Sequence, residues 1–216
     1  YNYRVVADVC IDIVFNCTNY DETYIMGYCN SFVKIGIDKE FNYFGIRFLP
    51  GIFPSLFNID ASELSNHYER LNTVQPCIYN VIQQSKDRCL CLQDLCDELN
   101  IYFIKHINKI DKPFDNRFFC ALETILKSKG SIIIEKDLND GISSRHLQRL
   151  FNFYIGDTAK SFCRIVRFQN LLKIDPSVKL IKSEKSYYDF GYYDQTHFIK
   201  EFKLFYGKTP LKIAAE

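Results

Sequence analysis

The first fifty positions alternate between apolar and polar residues. Val5, Val9, Ile11, Ile13 and Phe15 are interleaved with Ala, Cys, Asp and Val, which is the period of a strand with one buried face. Asn16–Glu22 is polar and turn-like. Tyr24–Tyr28, Phe32–Ile37 and Phe41–Phe48 are further short β-branched or aromatic runs, punctuated by Gly27, Gly36, Gly45 and Gly51. Short strands at this spacing predict a small antiparallel sheet or partial barrel. Pro50–Gly51 marks a turn, and the period then becomes helical. Asp60 is a plausible N-cap with Glu63 three residues on, and helical spacing runs to about Leu71. A second helix is predicted from Pro76 to Gln84. A longer one over Leu90–Ile110 carries Leu92, Leu95, Cys96, Leu99 and Phe103 on its period. Lys109–Pro113 reads as a polar hinge. It divides the chain into residues 1–112, β-rich and then helical, and residues 113–216.

The second part reads as all helix, so the fold class expected is α+β. Asn116–Lys127 is a helix closed by Gly130. Asn139–Asp140–Gly141 makes a tight turn, after which Ser143 or Ser144 caps a helix to about Phe153. Leu147, Leu150 and Phe151 form its inner face; Arg145, Gln148, Arg149 and Asn152 form its outer face. Gly156 ends it, and Asp157 is the expected cap of the next helix. That helix carries Phe162, Ile165, Val166, Gln169 and Leu172 on one stripe, with Arg164, Arg167 and Lys173 elsewhere, and Pro176 stops it. Asp194 caps a last long helix that buries Phe198, Phe202 and Phe205. Gln195, Thr196, His197, Lys200 and Lys203 face outward, and Gly207–Pro210 terminates it.

Composition narrows the class. The 216 residues are 47% apolar and 25% charged, enough to build a core. Uninterrupted apolar runs stay short, such as Ile101–Ile104, far below the roughly 18 of a membrane helix. No membrane partner is therefore expected, and the cysteine usage adds the expectation of a reducing cytoplasm. The chain opens at Tyr1 directly in strand-like sequence, so an upstream piece is expected. Nine cysteines, an odd number, in a chain large enough to stabilise itself by burial read as reduced thiols. Cys89, Cys91 and Cys96 make the densest group. Their C-x-C-x4-C spacing lacks the paired C-x2-C arms of a zinc site, and burial in a helix is the preferred reading. No metal and no cofactor are expected.

Charge is unevenly placed. Residues 1–114 hold 10 Lys and Arg against 14 Asp and Glu, whereas residues 115–216 hold 17 against 12. The positive excess falls where two capped, amphipathic helices each follow a Gly-containing turn. Their outward Arg, Lys, Gln, His and Thr side chains suit the major groove: Arg forks onto guanine O6 and N7, Gln onto adenine N6 and N7, and the Thr methyl meets the thymine methyl. One such face alone is equally an ordinary solvated helix surface. Two of them, joined by a long helix and followed by Gly-x-Thr-Pro, shift the balance to helix-turn-helix readers.

The stretches GISSRHLQRLF (Gly141–Phe151), RIVRFQNLL (Arg164–Leu172) and GYYDQTHFIKEFKLFYGKTP (Gly191–Pro210) resemble the DNA-binding domain of the AraC/XylS family of transcriptional regulators, over roughly residues 131–213. The resemblance implies two helix-turn-helix units joined by a linker helix, with double-stranded DNA as partner. It implies that Ser144, Arg145, Gln148 and Arg149 form the first reading face, and Gln195, Thr196, His197 and Lys200 the second. Arg164, Arg167, Lys203 and Lys208 are the candidates for phosphate contact. Where the family's first helices usually carry an Ala under the recognition helix, this chain has Asp137 and Tyr187, so either the register shifts or those helices are short. The region before the reader, with GIRFLPG (Gly45–Gly51), resembles a small cupin-like sensor domain, incomplete here. That leaves room for a small-molecule effector and for a homodimer through this domain. The alternative function is a small-molecule or partner-binding sensor whose reader is degenerate. An enzyme is not expected: G-x-S-x-G, a P-loop and H-E-x-x-H are all lacking, and His67 and His106 are isolated.

Overall fold

The computed structural model describes residues 2–36, 42–86, 88, 91–110, 114–138, 141–174 and 186–213. Five strands form where the alternation predicts them: β1 (Asn2–Val5), β2 (Ile11–Asn16), β3 (Thr23–Met26), β4 (Val33–Gly36) and β5 (Tyr43–Phe48). A sixth, β6 (Tyr68–Arg70), completes two antiparallel sheets, β1–β4 and β5–β2–β3–β6. β2 is the central strand, with Ile13 opposite Ile25 on β3 and Ile46 on β5. Its Ile11, Ile13 and Phe15 are buried on one face.

Helices cover that face: α1 (Ile52–Phe57), α2 (Leu71–Val74), α3 (Pro76–Ser85) and α4 (Leu92–Ile107). Phe53, Ile78, Ile82, Leu95 and Leu99 join the β2 residues in one apolar cluster. Phe48 meets Phe53 and Phe103 edge-on, with ring centroids 5.1 and 5.6 Å apart. Phe48 and Phe53, both buried, contribute about 1.5–3 kcal/mol of transfer free energy apiece. His106 belongs to this packing, stacked on Phe57 at 4.7 Å with Nε2 3.0 Å from the Leu56 carbonyl.

The opposite face of the larger sheet and the β1–β4 pair enclose a cleft of about 460 Å³, lined by Tyr3, Tyr24, Tyr43, Tyr68 and Arg47. Arg47 is held by a two-pronged pair with Asp12 at 2.9 and 2.7 Å and by Asp8 at 2.8 Å.

The helix expected over Asp60–Leu71 does not form. Asp60 does cap, accepting from the Ser62 amide at 2.9 Å, but only a 3₁₀ turn follows, Ala61–Leu64. Asn66 then adopts φ 64°, and Tyr68–Arg70 pairs with β3, Tyr24 opposite Arg70 and Met26 opposite Tyr68. The open edge of β3 offers backbone partners and the Tyr24–Tyr68 ring contact at 5.6 Å, a tertiary gain that overrides the local helical period. The cysteine group is not buried in a helix either: Cys91 is the exposed N-cap of α4, Cys96 is half-buried, and Cys89 lies outside the described residues.

The described residues of the second part form helices and their connections: α5 (Asn116–Lys127), α6 (Ile134–Asp137), α7 (Ser144–Ile155), α8 (Ala159–Ile174), α9 (Ser186–Asp189), α10 (Gln195–Tyr206) and α11 (Pro210–Ile213). Phe118, Phe151, Phe162, Phe168, Phe202 and Phe205 anchor its apolar cluster. Ala7 and Tyr28, from the strand region, are buried in the same cluster. The boundary read at residues 112–113 falls outside the described residues. So do Asn139 and Asp140 of the predicted turn, and Pro176 with the charged stretch that follows it.

Candidate nucleic-acid interface

α6 with α7, and α9 with α10, form two helix-turn-helix units, and α8 runs between them. α7 starts at Ser143, whose hydroxyl accepts from the His146 amide at 3.3 Å. Leu147, Phe151 and Ile155 turn inward. Phe151 lies edge-on to Phe118 at 5.3 Å and to Phe162 at 5.8 Å. Ser144, Arg145, Gln148, Arg149 and Asn152 are exposed, as their spacing predicts. Neither Arg145 nor Arg149 makes an ion pair among the described residues, so both guanidinium groups are available to a ligand. Beside them lies a cleft of about 600 Å³, into whose wall the first domain contributes Asp60.

α8 is capped one residue later than expected. Thr158 Oγ1 accepts from the Ser161 amide at 3.1 Å, while the Asp157 carboxylate accepts from Asn30 Nδ2 at 3.1 Å. A contact across the chain occupies the predicted cap.

α10 starts at Asp194, whose carboxylate accepts from the His197 amide at 2.7 Å. Phe198, Phe202 and Phe205 are buried, and Gln195, Thr196, His197, Lys200 and Lys203 are exposed. The same helix buries a carboxylate: Glu201 is only 3% exposed. Its Oε1 receives Arg164 Nε from α8 and lies 3.2 Å from His197 Nε2. The Arg164 guanidinium also rests 5.4 Å over the Phe205 ring.

The four phosphate candidates are therefore placed differently. Arg164 is engaged with Glu201. Arg167 donates to the Gly130 carbonyl at 3.1 Å and lies 5.4 Å over the Tyr192 ring. Burial pushes the Tyr192 hydroxyl well above the usual phenol range. Lys203 is exposed and Lys208 half-buried at the far end of α10.

Two further residues belong to this surface. Lys160 lines a cleft of about 590 Å³ together with Arg164, Arg167, His197 and Glu201, between the two units. It stands one turn before Arg164 on α8, a spacing visible in the sequence. Tyr193, directly before the α10 cap, is 85% exposed. The short-helix alternative is the one adopted at Asp137, whereas the residues before Tyr187's helix lie outside the described ones. α6 is a single turn in which Asp137 Oδ2 accepts from the Ile133 amide at 2.8 Å. Tyr187 stacks on Phe198 at 6.3 Å with rings 10° apart.

Among the described residues no three His, Cys, Asp or Glu gather as metal ligands, and no helix is long and apolar enough to cross a membrane. Burial pushes the thiols of Cys163 and Cys29 up to about 11.

Residues 140–215 match the model of a helix-turn-helix domain, a family of DNA-binding regulators rather than enzymes. Residues 1–70 match a domain of unknown function, DUF6597. No curated protein and no solved structure matches the chain. With two capped helices packed on α8, the chain carries an AraC-type helix-turn-helix domain behind a DUF6597 domain, the arrangement of an AraC-family DNA-binding regulator of transcription.

Proposed function

We propose that α7 and α10 enter two successive major-groove segments on one face of a single duplex. The observation that carries this reading is the pair of twelve-residue helices, each capped at its N-terminus, each with a polar outer face, both packed on α8. The 16 residues of α8 span about 24 Å at 1.5 Å per residue. With a turn at each end, that suits recognition helices about 34 Å apart, one turn of B-DNA. Ser144, Arg145, Gln148 and Arg149 read the first segment. Gln195, Thr196, His197 and Lys200 read the second. The two sets differ chemically, so the site is asymmetric.

Lys203, Lys208 and Lys160 supply phosphate contacts. Arg164 and Arg167, tied within the domain, act on the backbone only through donors those ties leave over. A cytoplasmic location goes with this reading. Selection from a random duplex pool tests the reading: an asymmetric site of two segments is expected, with affinity falling steeply between low and physiological salt. A single short segment, or an affinity flat with salt, would overturn it.

A small-molecule effector in the tyrosine-lined cleft of the first domain is the accompanying proposal, supported by the volume and aromatic lining of that cleft. A compound that binds there raises the melting temperature. The exposed Ile101, Ile104 and Ile107 of α4 support a homodimer through the same domain, which light scattering of the eluted protein tests.

A further inference from the structure

We infer that the first domain is a second tie between the two recognition helices: it grips the C-terminal ends of α7 and α10 together and so sets the separation at which the two segments are read. The inference rests on the two-reader proposal above.

The last carbonyls of a helix have no partner within it. On α10, the Leu204 carbonyl accepts from the Phe32 amide at 3.1 Å and the Phe205 carbonyl accepts from the Ala7 amide at 2.9 Å. At the end of α7, the Gly156 carbonyl shares the Ser65 hydroxyl proton with the Ala61 carbonyl, each 3.0 Å from Oγ. The start of α8 is held in the same way. Tyr28 and Ser161 share a hydroxyl hydrogen bond at 2.7 Å, and Asn30 donates to Asp157. Further along α8, the Gln169 side-chain amide donates to the Ala7 carbonyl.

The grip comes from a rigid piece. Its two connections, β1 to β2 and β3 to β4, are bridged to each other by a reciprocal pair of backbone hydrogen bonds between Asp8 and Cys29, both 3.1 Å. Ala7 and Tyr28 are fully buried among the reader's own apolar residues. The fit leaves no slack at either helix end. Gly156 and Gly207 hold φ of 97° and 87°, and a Cβ on either would collide: with Ser65 and Ala61 at the first, with the Phe32 ring at the second.

Topology turns these contacts into a constraint. Within the helical part, α7 and α10 are both packed on α8. Two units joined through one helix can bend about it. A second bridge, from the end of α7 through the first domain to the end of α10, closes the loop and fixes the angle. It acts at the C-terminal ends, so the N-terminal turns that carry Arg145 and Gln195 stay open.

The test uses the full chain and the selected duplex, compared with the same duplex carrying one base pair inserted between its segments. In the unaltered protein the insertion should cost about tenfold or more in affinity, the scale of one spoiled base contact. In a variant with Tyr28→Phe, Asn30→Ala, Phe32→Ala and Ser65→Ala combined, that cost should fall to about threefold or less, because a looser pair of readers accommodates the new spacing. A folded variant with the unaltered insertion penalty overturns the tie alone. An unaltered protein indifferent to the insertion overturns the two-reader reading and the tie with it. Should the variant fail to fold, amide exchange in the unaltered protein decides: Ala7 and Phe32 amides as slow as those in the middle of α10 support the tie, and fast exchange at both overturns it.

Discussion

The two recognition helices have equal lengths and similar caps, yet they are held differently. The outer face of α7 carries two arginines that no acid of the described protein neutralises, and only the Asp60 carboxylate stands in the neighbouring cleft. α10 is pinned through its middle instead: Glu201 is buried against Arg164 of the linker helix and draws His197 back to 3.2 Å. The outer face of α7 is thus the more open. The second exchanges some of its polar surface for a fixed attitude on α8. The contrast teaches that two copies of one motif need not be held alike: one keeps its cations open, the other takes a fixed attitude on α8.

The largest effect should come from removing the pin. Glu201→Ala leaves Arg164 without its carboxylate and opens space beneath α10. It should cost about 1–3 kcal/mol of stability in thermal unfolding, below the figure for a wholly buried pair because Arg164 is partly exposed. Protection of the second DNA segment should fade while the first stays protected. Equal loss at both segments would show that the pin serves the whole domain rather than α10.

Arg149→Lys sharpens the other side of the contrast. Lysine keeps the charge and loses the fork. Affinity for the selected site should drop by about 1–2 kcal/mol, with the salt slope unchanged. A variant that binds like the original would make Arg149 a phosphate contact.

The smallest effect concerns Asp60. Asp60→Asn keeps the cap on the 3₁₀ turn and removes the charge beside α7. Affinity should rise about twofold at low salt, and the gain should vanish at high salt, where the Debye length shrinks to a few ångström. A decrease would mean that the carboxylate orders the arginines rather than competing with the phosphates.

Local chemistry was legible in the chain. Ser143 and Asp194 cap where an Asx or Ser side chain precedes an amphipathic period, and all eight base-reading candidates stand exposed on α7 and α10. What escaped depends on partners far away in sequence. Tyr68–Arg70 is a strand because the β3 edge lies beside it, whereas its own spacing reads as helix. Glu201, a charged residue on an amphipathic helix, gives no sign of burial, since its partner Arg164 sits on another helix. Arg164 and Arg167 read as outward cations for the same reason. Ala7 and Tyr28 lie in strand-like sequence, and only the folded chain places them in the core of the reader.

The division between the readers is tested most directly by footprinting two variants, Arg149→Ala and Lys200→Ala, on the selected duplex. Arg149→Ala should cost about 1–3 kcal/mol and relax preference at one or two base pairs of the first segment only. Lys200→Ala should weaken protection about one helical turn away, in the second segment only. Disturbance of the same base pairs by both substitutions, or no change in sequence preference from either, would overturn the two-reader geometry.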